Sequence, residues 1–93
     1  MSAPPRVLVV EDEPAIQELL RYALTEARFD VAMVTSAEDA LSEINARLPA
    51  VVLLDLMLPG MSGVTLAKRL RADERTRGLP IIMVTARAEE QNR

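Results

Sequence analysis

Apolar residues recur along this chain with two different periods, and the periods take turns. Arg6-Val7-Leu8-Val9-Val10 is a short β-rich run. Ile16, Leu19, Leu20, Ala23 and Leu24 then follow at i, i+3, i+4, i+7 and i+8, the spacing of one helix face. Pro14 suits the first turn of that helix, and Asp12 or Glu13 is placed to cap it. Phe29 to Val34 reads as a second, weaker strand. Ser36-Ala37-Glu38-Asp39 has the form of a capping box with Asp in the usual Glu position, and Ala37, Ala40, Leu41, Ile44 and Leu48 form the next helical stripe. Pro49 ends it. Ala50 to Leu54 is apolar at every position, as strands in the middle of a parallel sheet are. Leu58-Pro59-Gly60-Met61-Ser62-Gly63 is a loop by its turn residues. A third helix runs through Val64, Ala67 and Leu70-Arg71, with Lys68 and Arg69 on its wet side. Ile81-Ile82-Met83-Val84 is a fourth strand, and Ala88 to Arg93 resembles the first turn of a further helix.

The order is therefore βαβαβαβ. It predicts an α/β fold with an open, doubly wound parallel sheet. One domain covers residues 1–93. Ligands of such sheets bind at the carboxyl ends of the strands, where the connections diverge to opposite faces. Strand 4 would form a bare apolar edge, and one sheet face would carry only the first helix. A homodimer through that edge is one expected remedy. A missing C-terminal piece is another, and the chain is expected to be part of a longer natural domain.

Composition narrows the chemistry. The chain is 49% hydrophobic and 27% charged, with a net charge of −3. No uninterrupted apolar run exceeds five residues, too short to span a membrane, and the start has no apolar core of a secretory signal. There is no cysteine, so no disulfide or thiolate site, and a cytoplasmic setting is the default. There is no histidine, which removes the commonest general base and most zinc sites. Without a basic stripe or an aromatic platform, nucleic-acid contact by this segment is not expected.

Two of the strands end in acid. Val10 runs into Glu11-Asp12-Glu13, and Leu54 runs into Asp55. If these strands are parallel neighbours, Glu11, Asp12 and Asp55 meet at one point. Three like charges there require a cation, and magnesium takes oxygen ligands of this kind. Asp12 and Asp55 are expected as direct ligands, Glu11 through water, and the Met57 backbone carbonyl as a further donor. Asp55 is then the best nucleophile available for attack on phosphorus. Thr85, at the end of strand 4, would give its hydroxyl to the phosphoryl oxygens, and the amides of Ala86 and Leu56 could donate too. Taken singly, each residue has a plainer reading. Glu11-Asp12-Glu13-Pro14 could be an acidic helix start, Asp55 a turn residue and Thr85 a strand-end threonine.

As a set, Val7 to Glu13, Leu53 to Gly63 and Pro80 to Arg87 resemble the receiver domain of two-component response regulators, the CheY-like fold, of PhoB/OmpR type. The resemblance implies strand order 2-1-3-4, with Asp55 as phosphoacceptor and Glu11, Asp12, Asp55 and the Met57 carbonyl serving Mg²⁺. It implies Thr85 as the switch hydroxyl and a sensor histidine kinase as the donor. In the full-length protein it implies a winged-helix DNA-binding domain controlled by dimerisation. It does not imply an enzyme, but a phosphoacceptor that assists its own phosphoryl transfer. The family's site lysine follows a fifth strand, and its aromatic switch residue lies on that strand. Neither has a counterpart in residues 1–93, where the single lysine is Lys68.

Three other functions fit less well or differently. A phosphatase with an aspartyl-phosphate intermediate would want a second Asp two residues after Asp55, where Met57 stands. A flavodoxin-like cofactor binder would want a phosphate loop where Glu11-Asp12-Glu13 stands. A phosphorylation-independent interaction module of the same fold remains the alternative.

Overall fold

The computed structural model describes residues 3–84. Its elements are β1 (Arg6–Val10), α1 (Pro14–Glu26), β2 (Asp30–Val34), α2 (Ala37–Ala46), β3 (Val51–Asp55), α3 (Gly63–Ala72) and β4 (Ile81–Val84). The four strands are all parallel, in the order β2-β1-β3-β4. The doubly wound α/β fold read from the alternation of periods is the fold observed.

Alternation along the central strands sorts the side chains to two faces. Leu8, Val10, Val52 and Leu54 point to one face, and Ala37, Ala40 and Ile44 of α2 pack on them with Leu66 and Leu70 of α3. Leu58 and Leu79, from the loops flanking α3, close this core. Val7 and Val9 point to the other face and are also buried. There α1 presents Ile16, Leu20 and Leu24, each half-buried, and no residue of α1 is fully buried. A helix that buries so little contributes correspondingly little transfer free energy.

Several boundaries and faces differ from expectation for local reasons. Neither Asp12 nor Glu13 caps α1 through its side chain; Glu13 occupies the cap position with no such bond. The helix ends in a Schellman arrangement: the Arg28 amide donates to the Thr25 carbonyl and the Phe29 amide to that of Leu24, with Arg28 at φ +70°. Phe29 is thereby held in the helix stop, and β2 begins at Asp30. Helix α2 ends at Ala46, before Pro49, so Leu48 lies outside it and is exposed. On α3 the buried positions are Gly63, Leu66 and Leu70, while Val64 is exposed.

Ser36 and Ser62 do cap their helices. Their hydroxyls accept from the amides of Asp39 at 3.0 Å and Thr65 at 3.1 Å. The loop from α3 to β4 is pinned by Thr76, whose hydroxyl donates to the Leu70 carbonyl at 2.6 Å. Arg75 crosses to the end of α2 and donates to the Ile44 carbonyl at 2.9 Å.

Candidate metal and phosphoacceptor site

Register brings the acidic residues level. Val10 pairs with Leu54 across the β1–β3 ladder, so Glu11 and Asp55, each one residue further on, end their strands side by side. From β1 the chain turns into α1 on one face; from β3 it turns into α3 on the other. The two acids therefore stand where the connections diverge, the crevice that doubly wound sheets use for ligands.

One carboxylate oxygen from each of Glu11, Asp12 and Asp55 lies within 4.8 Å of the others. Glu11 and Asp55 are buried and Asp12 is exposed. The ion pairs among the described residues join Arg6 to Glu43 and Arg47 to Asp30, so neither neutralises this cluster. Burial, before any other cause, pushes the Glu11 carboxyl above the ordinary glutamate value. The Glu13 amide opposes that shift; the charges of Asp55 and Asp12, and a shared-proton contact with Asp55, add to it.

An all-oxygen set of this kind fits a hard divalent cation. Oxygens on opposite sides of one Mg²⁺ stand about 4.2 Å apart, twice a bond of ~2.1 Å. The observed spread is of the size that one shared cation requires. Met57 lies beside them, its side chain exposed, and its amide donates to Asp55 Oδ1 at 3.2 Å.

The backbone around these acids is tightly held. The Glu11 amide donates to the Val34 carbonyl at 3.0 Å, and its Oε2 accepts from the Glu13 amide at 3.0 Å. On the other strand, α3 starts hard against Asp55. A Cβ on Gly63 would lie 2.3 Å from the Asp55 carbonyl oxygen and 3.1 Å from the Leu56 Cα. Only glycine lets the helix approach this closely. Nothing in the sequence marked Gly63 as more than a turn residue, and Gln17, whose amide reaches the Glu11 carbonyl, was not singled out at all. Thr85 and Ala86, expected to hold phosphoryl oxygens, lie outside the described residues.

A family model, described as "Response regulator receiver domain", matches residues 7–93. The chain belongs to the response regulator receiver family. The phosphate regulon transcriptional regulatory protein PhoB of Rhizobium meliloti (strain 1021) is 47% identical over 89 residues, which are 96% of this chain and 39% of that protein. This receiver thus spans about two fifths of the length of such curated relatives. A sensor protein from Polaromonas sp. JS666 superposes with a TM-score of 0.86 at 44% identity, covering 95% of this chain and 70% of that one. The receiver domain of a sensor histidine kinase from Pseudomonas aeruginosa PAO1, at 30% identity and a TM-score of 0.86, covers 92% of this chain and 70% of its own. That structure carries a magnesium ion coordinated in its active site cleft.

Proposed function

We propose that residues 1–93 act as the phosphoacceptor module of a PhoB/OmpR-type response regulator. In this reading the chain works in the cytoplasm, where Asp55 takes a phosphoryl group from the phosphohistidine of a sensor histidine kinase. One observation carries the reading: three carboxylate oxygens at the ends of two adjacent strands converge within 4.8 Å, with no ion pair among the described residues to neutralise them. The PhoB relatives and the magnesium-bearing receiver support the assignment.

The chain's own groups divide the work. Asp12 and Asp55 would hold Mg²⁺, with Glu11 through water and the Met57 carbonyl as a further donor. The bound ion would offset charge on the carboxylates and on the phosphoryl oxygens. The Met57 amide donates to Asp55 Oδ1 and would steady the carboxylate there, and Oδ2 is taken as the attacking atom. An O–P bond forms at Oδ2 as the P–N bond to the kinase imidazole breaks, and the imidazole leaves with the bonding pair. Burial of Asp55 keeps bulk water off the acyl phosphate so formed. Thr85 and Ala86 would then receive the new phosphoryl oxygens, drawing their loop inward as a packing switch. The output belongs to a DNA-binding domain elsewhere in the full-length protein, and a second copy of this chain meets the β4 edge.

Beryllofluoride, an acyl-phosphate mimic, tests the reading. With Mg²⁺ it should give saturable shifts of the Asp55 and Met57 amide resonances beyond those that Mg²⁺ gives alone, and beryllofluoride without Mg²⁺ should give none. Absence of any saturable shift would favour the phosphorylation-independent interaction module.

A further inference from the structure

Asp12 is the exposed member of the acidic cluster, and no hydrogen bond to its carboxylate is found among the described residues. The backbone sets where its Cβ stands, and hence which rotamers reach Asp55. The Glu11 carbonyl and the Asp12 amide belong to one rigid planar peptide. That carbonyl accepts from the Gln17 side-chain amide at 2.6 Å, across six residues and from the second turn of α1. Gln17 is half-buried, and a carbonyl partner requires its NH₂ rather than its oxygen to face the bond. The Glu11 amide is held by Val34 on the other side. Gln17 is therefore the side chain that holds the carbonyl end of the Glu11–Asp12 peptide, beside the Glu13 amide on Glu11 Oε2, about a point already anchored to β2.

The geometry points to Gln17 as a positioning residue for the metal site: its amide orients the Glu11–Asp12 peptide so that Asp12 faces Asp55. The inference rests on the magnesium reading proposed above. Gln17 touches neither the cation nor the phosphoryl group. It acts through one main-chain carbonyl, and it places on helix α1 a determinant of ligand geometry otherwise confined to strand ends. Without the bond, the peptide is free to turn, and Asp12 must be ordered each time the cation binds.

Two substitutions separate this role from a packing role. Gln17→Met keeps the length and burial of the side chain but has no donor. Gln17→Lys restores a donor on a stem of similar reach. Mg²⁺ affinity is read by titration of the amide resonances, and the Glu11 carbonyl ¹³C shift is read without metal. Gln17→Met should bind Mg²⁺ roughly three- to tenfold more weakly, the worth of one net hydrogen bond. It should also move the Glu11 carbonyl shift, and Gln17→Lys should recover most of that metal-free shift; its Mg²⁺ affinity carries the added repulsion of the ammonium charge. Wild-type affinity in Gln17→Met overturns the inference and leaves the metal reading standing. A carbonyl shift that Gln17→Lys does not restore also overturns it, because packing alone then explains the effect. A wild-type chain that takes up no Mg²⁺ overturns the metal reading, and the positioning role with it.

Discussion

Glu11 shows what the cluster costs when no cation is bound. Its raised carboxyl pKa means that the folded chain holds the proton more tightly than the unfolded chain does. The stability tied to that proton is fully present below the ordinary value of 4.5, and is lost as pH rises through the raised value. Glu11→Gln should therefore stabilise the metal-free protein at neutral pH, and its advantage should shrink as the pH falls toward 4.5. Urea midpoints for both proteins across that range give the test; an advantage that grows on acidification would reverse the sign. Added Mg²⁺ should favour the wild type instead. Gly63 carries the opposite kind of constraint. Gly63→Ala puts a methyl carbon into the Asp55 carbonyl, and should cost about 1–3 kcal/mol of unfolding free energy while weakening Mg²⁺ binding. The acids themselves were legible because each ends an apolar run, a pattern local in the sequence. Gln17 and Gly63 were not, because their importance lies in a main-chain contact made across a fold boundary. Asp12 or Glu13 was expected to cap α1 through its side chain; Glu13 takes the cap position but lacks the short side chain of the residues that cap well.

At the scale of elements, the periods located every strand and helix among the described residues, and the errors fell on ends and faces. Helix α3 was read through a face of Val64, Ala67 and Leu70-Arg71; Leu70 is buried and Ala67 packs against the core, but Val64 is exposed and Leu66, which that face left out, is buried. Tertiary contact turns the helix toward a face of Gly63, Leu66 and Leu70, where Gly63 admits it to β3. Leu66→Ala should accordingly cost about 2–5 kcal/mol, and Val64→Ala no more than about 0.5 kcal/mol, by thermal or chemical unfolding. Equal costs would return the helix to the first face. The stop of α1 shows a second limit of pattern reading. A Schellman turn normally announces itself by glycine, and here Arg28 takes the left-handed conformation. Arg28→Gly should stabilise the protein by about 1 kcal/mol by removing that strain. A loss of stability would mean that the arginine side chain makes up for its backbone.

The whole molecule is unevenly covered. Two helices and two loops seal one face of the sheet, whereas among the described residues α1 alone covers the other and buries no residue completely. Along β4, Ile82 is 53% exposed and Met83 42% exposed, on opposite faces of a strand paired on one side among the described residues. Such an edge offers both backbone groups and apolar surface to another chain. Association should therefore rise with concentration in light scattering and fall in Ile82→Lys; a stable monomer at high concentration would contradict it. The doubly wound topology was legible at this scale because crossover handedness leaves few alternatives. The central claim is that the acids at the heart of this sheet receive a phosphoryl group. It is tested most directly by intact-mass analysis after incubation with a small-molecule acyl phosphate, with peptide mapping of the product. The account predicts one phosphoryl group on Asp55, dependent on Mg²⁺ and absent from a folded Asp55→Asn protein. Labelling that persists in Asp55→Asn, or a Mg²⁺-saturated wild type that takes up no phosphoryl group, would contradict it.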